Sequence, residues 1–185
     1  TQGVHSVQRQ LADDIFHVDK SRMRILTGNV GGGFGMKIFL YPEQLCVLYG
    51  ARRIGRPVKW VAERSYDGFT TDKMGRDHVS EITLGLGKDL KITGLDITLK
   101  AAMGAYISGF QAFIPTMASA KMYSGVYAIP AIHLRVHGLF TNTTPVDAYR
   151  GAGRPEAAYL LERLMDKAAL DLGVDTVELR KRNYI

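Results

Sequence analysis

The sequence predicts an α+β fold, with a mixed sheet that has an antiparallel component and is packed by helices. Two stretches with alternating apolar residues flank Gly87-Lys88-Asp89, a turn sequence typical of an antiparallel hairpin. A long stretch after Pro155 repeats apolar residues at helical spacing. Hydrophobic residues make up 46% and charged residues 23% of the 185 residues, which excludes a disordered or fibrous chain.

Two helices and two strands are predicted in the N-terminal part. One helix begins after Pro42, which suits a first helical turn, and ends before Gly55. Its predicted buried stripe is Leu45, Leu48 and Tyr49. The elements are, in order, a helix over residues 9–17, a strand over 23–30, a helix over 43–50 and a strand over 58–61. The polar residues 64–77 predict an exposed loop.

Three strands and two helices are predicted in the C-terminal part. The strands cover residues 78–86, 92–101 and 132–142, and the first helix covers residues 156–172. Gly173 suits the C-terminal cap of that helix. Asp175, with Glu178 three residues later, suits the start of the second helix. Residues 103–127 mix glycine, serine and aromatic residues and predict no regular element, and residues 1–185 together are predicted to form a single domain.

The single cysteine and the two ends of the chain limit the class of protein that the sequence can be. Cys46 is the single cysteine, which excludes an internal disulfide framework and any multi-cysteine metal site built from this chain alone. It lies among apolar neighbours, so we expect a buried, inert thiol. The composition is typical of cytosolic proteins, and we expect a cytoplasmic location without a membrane span. Because the chain starts at Thr1 and stops after a predicted helix, we expect it to be a piece of a longer polypeptide.

The charge balance leaves room for an anionic partner. The chain has 24 Lys and Arg residues against 18 Asp and Glu residues, a formal net charge of +6 at pH 7. The basic residues are scattered, and the densest cluster is Arg180-Lys181-Arg182. Since nucleic-acid binders usually show a basic face with interleaved aromatic residues, we expect no nucleic-acid partner.

A glycine-rich loop, Gly31-Gly32-Gly33-Phe34-Gly35, follows the predicted strand over residues 23–30. Glycine accepts positive φ, and successive main-chain N–H groups can converge on an oxyanion. The spacing does not fit the dinucleotide pattern G-x-G-x-x-G, and Gly35-Met36-Lys37 breaks the Walker pattern. From these residues alone, an anion- or nucleotide-binding loop and a structural glycine corner both remain open.

A second glycine site is the sequence Ala-Tyr-Arg-Gly-Ala-Gly-Arg-Pro-Glu at residues 148–156. Arg150 and Arg154 bracket flexible residues just before a predicted helix. Arginine presents a fixed fork of donors that suits phosphate, carboxylate or charge developing on oxygen. The pattern favours a binding role, while ordinary surface or capping roles for the two arginines remain open.

The remaining polar residues show no catalytic or metal-binding pattern. The five histidines lack zinc-site spacing, and His133 and His137 are expected to face solvent from a strand. The G-x-S-x-G sequence of a serine nucleophile elbow is absent from the sequence.

Five segments, taken in order, carry a family resemblance. They are Thr1-Gln2, Val30-Gly31-Gly32-Gly33-Phe34-Gly35-Met36-Lys37, Arg56-Pro57-Val58-Lys59-Trp60 with Arg64, Ala148-Tyr149-Arg150-Gly151-Ala152-Gly153-Arg154-Pro155-Glu156-Ala157, and Glu178-Leu179-Arg180-Lys181-Arg182-Asn183. In this order the chain resembles the molybdenum hydroxylase family, which comprises xanthine dehydrogenases, aldehyde oxidoreductases and aerobic carbon monoxide dehydrogenase large subunits. The resemblance covers essentially the whole chain, and the two glycine motifs together are specific.

The resemblance implies that residues 1–185 are the N-terminal half of a molybdenum-cofactor-binding region, truncated from a larger catalytic subunit. The implied cofactor is molybdenum–molybdopterin, with or without a cytosine dinucleotide extension, and its metal is held by the pterin dithiolene rather than by protein side chains. Gln2 would hydrogen-bond an oxo ligand, and Gly33, Phe34 and Gly35 would lie beside the metal. Arg150 would stabilise negative charge on the reacting substrate.

The reaction that the resemblance implies is hydroxylation with water-derived oxygen, which uses a glutamate general base. In the family that glutamate lies beyond the position of Ile185, so we expect the isolated chain to fold without turning over substrate. The resemblance also implies iron–sulfur clusters and FAD on other domains or subunits, a small-molecule substrate and an oligomeric complex.

Two departures from the family's patterns narrow the substrate. Ile38 stands where purine hydroxylases carry a substrate-binding glutamate, and Gly151 stands where carbon monoxide dehydrogenases carry a copper-binding cysteine. The resemblance therefore implies oxidation of an aldehyde or an aromatic N-heterocycle. The alternative is a non-catalytic anion- or nucleotide-binding domain that uses residues 31–35.

Overall fold

The computed structural model of the protein describes residues 1–68 and 72–185. The chain divides into two compact units, an N-terminal unit over Thr1–Asp72 and a C-terminal unit over Lys73–Ile185. The single domain over residues 1–185 stays a prediction. No helix within the described ranges is long and apolar enough to cross a membrane.

The N-terminal unit is built from short helices. Its elements are helix α1 (Val4–Arg9), a π-helical continuation (Gln10–Phe16), a 3-10 turn (Lys20–Arg22), helix α2 (Pro42–Ile54) and a π-helical turn (Arg64–Gly68). The predicted helix over residues 9–17 is therefore present, but it begins earlier and widens its pitch. Among the described residues of this unit, the buried apolar side chains are Val7, Leu11, Ala12 and Phe39.

The two strands predicted in the N-terminal unit are wrong. Residues 23–30 and 58–61 pair with no strand among the described residues. Leu26 is 74% exposed and Val61 is 69% exposed, so these apolar runs have no buried face to hold them in a sheet. A short apolar run looks the same in sequence whether or not a partner strand exists, which explains the error.

Helix α2 confirms the predicted helix over residues 43–50 and extends it to Ile54, where Gly55 caps it in the left-handed conformation. The predicted buried stripe is wrong, because no residue of α2 is buried and Tyr49 is 60% exposed. Cys46 is exposed as well, so the expectation of a buried thiol is also wrong. The predicted loop over residues 64–77 contains the π-helical turn, and its residues 69–71 lie outside the described residues.

The C-terminal unit contains a three-stranded mixed sheet with β2 in the centre. Its strands are β1 (His78–Leu86), β2 (Ile92–Gly104) and β3 (Ile132–Phe140). β1 pairs with β2 antiparallel, and β3 pairs with β2 parallel. The predicted hairpin and the predicted α+β fold with a mixed sheet are confirmed.

Two helices cover this sheet. They are α3 (Arg154–Leu172) and α4 (Thr176–Asn183), and Asp175 caps α4 by accepting hydrogen bonds from the N–H groups of Val177 and Glu178. Alternate residues of β2 are buried, since one face of the strand packs in the core. The core joins β2 to both helices and includes Leu95, Ile97, Leu99, Ala157, Leu161, Met165 and Leu179.

The stretch without a predicted element, residues 103–127, packs into the same core. It contains the end of β2, a π-helical turn over Ile114–Ala118, and two buried tyrosines, Tyr123 and Tyr127. These aromatic residues are fixed by tertiary packing rather than by local periodicity, which is why their sequence predicts no element.

The Asn183 side chain closes one end of the core with three hydrogen bonds, which are called here the Asn183 seal. Its side chain is buried, accepts a hydrogen bond from the Ile92 N–H at 2.8 Å, and donates to the carbonyls of Leu90 and Leu179 at 2.9 Å each. The end of α4 is thereby tied to the turn between β1 and β2 through groups that are otherwise out of reach of water.

Candidate functional site

The loop over residues 31–35, called here the first glycine loop, lies in the N-terminal unit and has an unusual backbone. Gly32, Phe34 and Gly35 all adopt positive φ, at 95°, 52° and 99°. Within the loop and just after it, the Met36 N–H donates to the Gly33 carbonyl at 2.9 Å. The backbone strain of this loop lies at Phe34, because a left-handed conformation is unfavourable for any residue other than glycine.

The first two residues of the chain are fastened to the residues after this loop. The Gln2 N–H donates to the Lys37 carbonyl at 2.8 Å, and the Thr1 hydroxyl donates to the same carbonyl at 3.0 Å. The Thr27 hydroxyl donates to the Thr1 carbonyl at 3.2 Å. Gln2 is therefore held beside the first glycine loop by main-chain bonds and not by its side chain alone.

The Gln2 carboxamide is oriented by the loop. Its oxygen, Oε1, accepts a hydrogen bond from the Gly35 N–H at 3.2 Å. Because an N–H can pair only with the amide oxygen, this contact fixes which end of the carboxamide is which. Nε2 has no hydrogen-bond partner in the described part of the chain, and Gln2 is exposed, so two N–H donors stay available at the surface.

Gly33 is glycine because of Gln2. A Cβ at this position would lie 2.0 Å from Gln2 Oε1 and 2.6 Å from Gln2 Cδ, which no side chain tolerates. At Gly31 a Cβ would meet nothing within 4 Å. The two glycines therefore differ, and only Gly33 is required for the seat of the Gln2 carboxamide.

The second loop, residues 149–153, is called here the Arg150 loop and lies in the C-terminal unit. Gly151, Ala152 and Gly153 have φ of 96°, 42° and 92°, three consecutive left-handed residues that end at the start of α3. A Cβ on Gly153 would lie 2.6 Å from both the Ile114 carbonyl and the Ser119 hydroxyl. Because of this packing, no side chain fits at position 153, where the loop enters α3.

Side chains from outside the Arg150 loop hold both of its ends. The Glu156 carboxylate accepts a hydrogen bond from the Gly153 N–H at 3.1 Å, which caps α3. Arg76 donates to the Arg150 carbonyl, lies 4.5 Å above the Tyr149 ring and lies 3.8 Å from Glu156 Oε2. Arg150 itself is exposed.

A small cavity of about 10 Å³ lies next to the Arg150 loop, and its mainly apolar lining includes the polar residues His78, Gln111, Asp147 and Glu156. The buried Asp147 carboxylate accepts hydrogen bonds from the N–H groups of Phe110 and Ala148 at 3.1 and 2.7 Å. Burial lowers the pKa of the His78 imidazole against the opposing effect of Glu156 and Asp77.

The sequence-predicted residues fall into two groups. The structure brings Gln2 together with Gly33, Phe34 and Gly35 in the N-terminal unit, while Arg150 belongs to the C-terminal unit. Sequence reasoning missed Arg76, because its partners lie more than 70 residues further along the chain. Within the described residues, no group of three His, Cys, Asp or Glu side chains is arranged to hold a metal ion.

The family model of the molybdopterin cofactor-binding domain matches residues 1–184. The carbon monoxide dehydrogenase large chain of Hydrogenophaga pseudoflava is 36% identical over 184 residues, which are 97% of this chain and 22% of the relative. The nicotine 6-hydroxylase large subunit of Paenarthrobacter nicotinovorans is 30% identical over 169 residues, which are 90% of this chain and 21% of that subunit.

Among solved structures, quinoline 2-oxidoreductase from Pseudomonas putida 86 is similar over 100% of this chain and 23% of its own, with a TM-score of 0.91 and 30% identity. The chain thus spans less than a quarter of the length of each of these relatives. The family model covers nearly every residue, including both glycine loops and the Asn183 seal. The chain belongs to the molybdenum hydroxylase family and is a molybdopterin cofactor-binding domain of that family.

Proposed function

We propose that this chain is part of the catalytic subunit of a molybdenum-dependent hydroxylase that oxidises an aldehyde or an aromatic N-heterocycle with water-derived oxygen. The observation that carries the proposal is the Gln2 carboxamide on the first glycine loop. Its oxygen is engaged by the Gly35 N–H, which leaves its two N–H donors for an external acceptor. An oxo ligand is an acceptor without hydrogens, so this donor-only surface suits it.

The residues of the first glycine loop fit the molybdenum–molybdopterin group. Gly33 leaves the room that the Gln2 carboxamide occupies, and the Gly35 N–H engages the carboxamide oxygen, so the exposed Gln2 side chain can offer its N–H donors to a bound cofactor. When bound, the group supplies two-electron oxidation chemistry and transfer of a water-derived oxygen. Gln2 would hold and orient it by hydrogen bonding, and Phe34, whose ring is half exposed, would exclude water from the same side.

Arg150 supplies the electrostatic part of the proposal. Its exposed guanidinium presents a fixed fork of donors, which stabilises negative charge as it develops on a substrate oxygen or nitrogen. The glutamate base, the iron–sulfur clusters and the FAD belong, in this proposal, to other parts of the full enzyme.

The surroundings of Gly151 support the choice of substrate class. Its φ is +96°, and a Cβ there would lie 2.5 Å from Pro155 Cγ, so a copper-binding cysteine would be strained at this position. Ile38, in turn, offers no side-chain hydrogen bond to a purine. Nicotine 6-hydroxylase and quinoline 2-oxidoreductase are both named for N-heterocycles, which makes this class the first to assay.

The alternative, a nucleotide-binding domain, is disfavoured by the path of the chain. A phosphate-binding glycine loop joins a parallel strand directly to a helix N-terminus. Here the first glycine loop follows irregular chain, and α2 begins only at Pro42.

The test compares two glycine substitutions in the full-length subunit, purified with its partner subunits. Gly33→Ala displaces the Gln2 carboxamide from the Gly35 N–H, whereas Gly31→Ala enters open space. We expect one molybdenum per wild-type subunit by mass spectrometry, and incorporation of heavy oxygen from labelled water into quinoline, nicotine or benzaldehyde. Gly33→Ala should lower turnover per molybdenum at least about tenfold, the cost of misplacing an active-site group, while Gly31→Ala stays near wild type.

Two results would contradict the proposal. One is a well-folded wild-type complex without molybdenum, which would leave the family membership as shared fold only. The other is carbon monoxide or xanthine as the preferred substrate, which would overturn the substrate class while leaving the cofactor role standing.

A further inference from the structure

The Arg150 loop has a backbone that its own sequence stabilises only in part, at its two glycines. Three consecutive residues are left-handed, and Ala152, with φ of 42°, is not glycine. A left-handed conformation at a residue with a side chain is unfavourable and persists only where the surroundings enforce it. Contacts from outside the loop therefore add to the hydrogen bonds that the Ala152 and Arg154 N–H groups make within it.

Arg76 makes such contacts with one planar group. Its guanidinium donates to the Arg150 carbonyl, stacks 4.5 Å from the centre of the Tyr149 ring and approaches Glu156 Oε2 at 3.8 Å. Glu156 in turn accepts from the Gly153 N–H. Arg76 thus touches residues before and after the three left-handed residues, a task for which the fixed fork of arginine is suited and a lysine is not.

The main chain before β1 is held where it places Arg76 beside the Arg150 loop. The Met74 N–H donates to the Pro145 carbonyl at 3.0 Å, and the Asp147 N–H donates to the Met74 carbonyl at 2.8 Å. Gly75 follows, and a Cβ there would lie 2.7 Å from Tyr149 Cβ. The absent side chain lets the segment approach the Arg150 loop closely.

We propose that Arg76 is a positioning residue that fixes the direction of the Arg150 guanidinium for charge stabilisation on the substrate. It acts through the Tyr149 ring and the Arg150 carbonyl rather than by touching the substrate. Its catalytic consequence rests on the proposed function, in which Arg150 meets the substrate. The clamp itself, Arg76 against Tyr149, Arg150 and Glu156, rests on contacts within the C-terminal unit alone.

The first test measures the clamp without turnover. Hydrogen exchange of the peptide spanning residues 149–156 is followed in the full-length complex, with Arg76→Gln, Gly75→Ala and Arg163→Gln. The first two variants should speed exchange at Ala152 and Arg154, whose N–H groups donate to the Tyr149 and Gly151 carbonyls. Arg163 is exposed on α3, and its variant should leave exchange unchanged. Unchanged exchange in Arg76→Gln would overturn the clamp.

The second test asks whether Arg76 acts through Arg150. Turnover per molybdenum is measured for Arg76→Gln, Arg150→Gln and the double variant. We expect Arg76→Gln to lower kcat about 10- to 100-fold with a smaller change in KM, as a misplaced group does, and to have no further effect in the Arg150→Gln background. Arg76→Lys should recover only part of kcat, since it keeps the charge but not the fork.

Additive losses in the double variant, or equal turnover per molybdenum in Arg76→Gln and wild type, would overturn the positioning role. A wild-type complex without molybdenum would instead contradict the proposed function, and the exchange measurement would still decide whether the clamp exists. The two failures are therefore distinguishable.

Discussion

The two glycine-rich loops belong to units with very different interiors. In the N-terminal unit few apolar side chains are buried, and the first glycine loop is held mainly by main-chain hydrogen bonds and one carboxamide. In the C-terminal unit a sheet and two helices enclose a continuous core, and the Arg150 loop is enclosed by Ile114, Ser119, Pro155 and Glu156.

A glycine therefore has a different purpose in each loop. Gly33 leaves room for a polar side chain that can move away, so its replacement should affect function more than stability. Gly153 meets main-chain atoms and a buried hydroxyl, which cannot move without disturbing the core.

Gly153→Ala should have the largest effect on stability, a loss of about 2–4 kcal/mol from left-handed strain and overlap together. Gly173→Ala is the matched control, since Gly173 is also left-handed but its Cβ would meet open space. The free energy of unfolding of this control should fall by about 1 kcal/mol. Hydrogen exchange of the α3 amides measures both, and equal losses would show that the packing around Gly153 adds nothing.

Asn183→Leu should lower the free energy of unfolding by about 1–3 kcal/mol, because the buried Ile92 N–H would lose its acceptor and the Leu90 and Leu179 carbonyls would lose the hydrogen bonds from the Asn183 side chain. Exchange of the amides in β2 and α4 is the readout. Asn142→Leu, at an exposed position, should change stability by less than about 0.5 kcal/mol. A harmless Asn183→Leu would mean that the C-terminal unit does not depend on this buried polar seal.

His78 should make the C-terminal unit sensitive to acid. Burial lowers its folded-state pKa from the ordinary 6.5, so below that pH the unfolded chain binds more protons than the folded chain. The contribution of neutral His78 to the free energy of unfolding is therefore complete above about pH 6.5. It is lost as the pH falls toward the folded-state pKa of His78. The slope of the free energy of unfolding against pH should stay well under about 1.4 kcal/mol per pH unit, which is the limit for one proton, because the His78 ring is partly exposed.

The measurement is denaturant unfolding of the protein as a function of pH. His78→Gln should flatten the acid slope, whereas His137→Gln, at an exposed position on β3, should leave it as in wild type. An unchanged slope in His78→Gln would assign the acid sensitivity to other groups.

Gly33→Ala should have the smallest effect on stability, below about 1 kcal/mol. Its overlap is with the Gln2 side chain, and replacing glycine also reduces the freedom of the unfolded chain. Exchange of the α1 and α2 amides should match wild type even where turnover is lost. Unfolding of the N-terminal unit in this variant would remove the contrast between the two loops.

Sequence reasoning succeeded where structure is local. The hairpin of β1 and β2 and the helix α3 follow from alternation, turn chemistry and helical spacing. The strands predicted over residues 23–30 and 58–61 failed because a strand needs a partner that a single segment does not reveal. Cys46 and Tyr49 were expected inside for a related reason, since a helix has an apolar stripe in sequence before anything is known to cover it.

For the site, motif resemblance brought out Gln2, the first glycine loop and Arg150, and the structure adds how the chain holds them. The contact between Gln2 Oε1 and the Gly35 N–H spans 33 residues, and that between Arg76 and the Arg150 carbonyl spans 74. Contacts so distant in sequence leave no periodic pattern, although Gly75 beside Arg76 is the kind of signal that a close approach produces.

The Asn183 seal also sets an order of events during synthesis. β1 and β2 are joined by a short turn and can pair as soon as both have left the ribosome, because closing a short loop costs little entropy. The Ile92 N–H must wait for a partner 91 residues later in the chain. A nascent chain that has not yet released α4 therefore exposes the end of its hairpin to water, and α4 completes the C-terminal unit when it emerges.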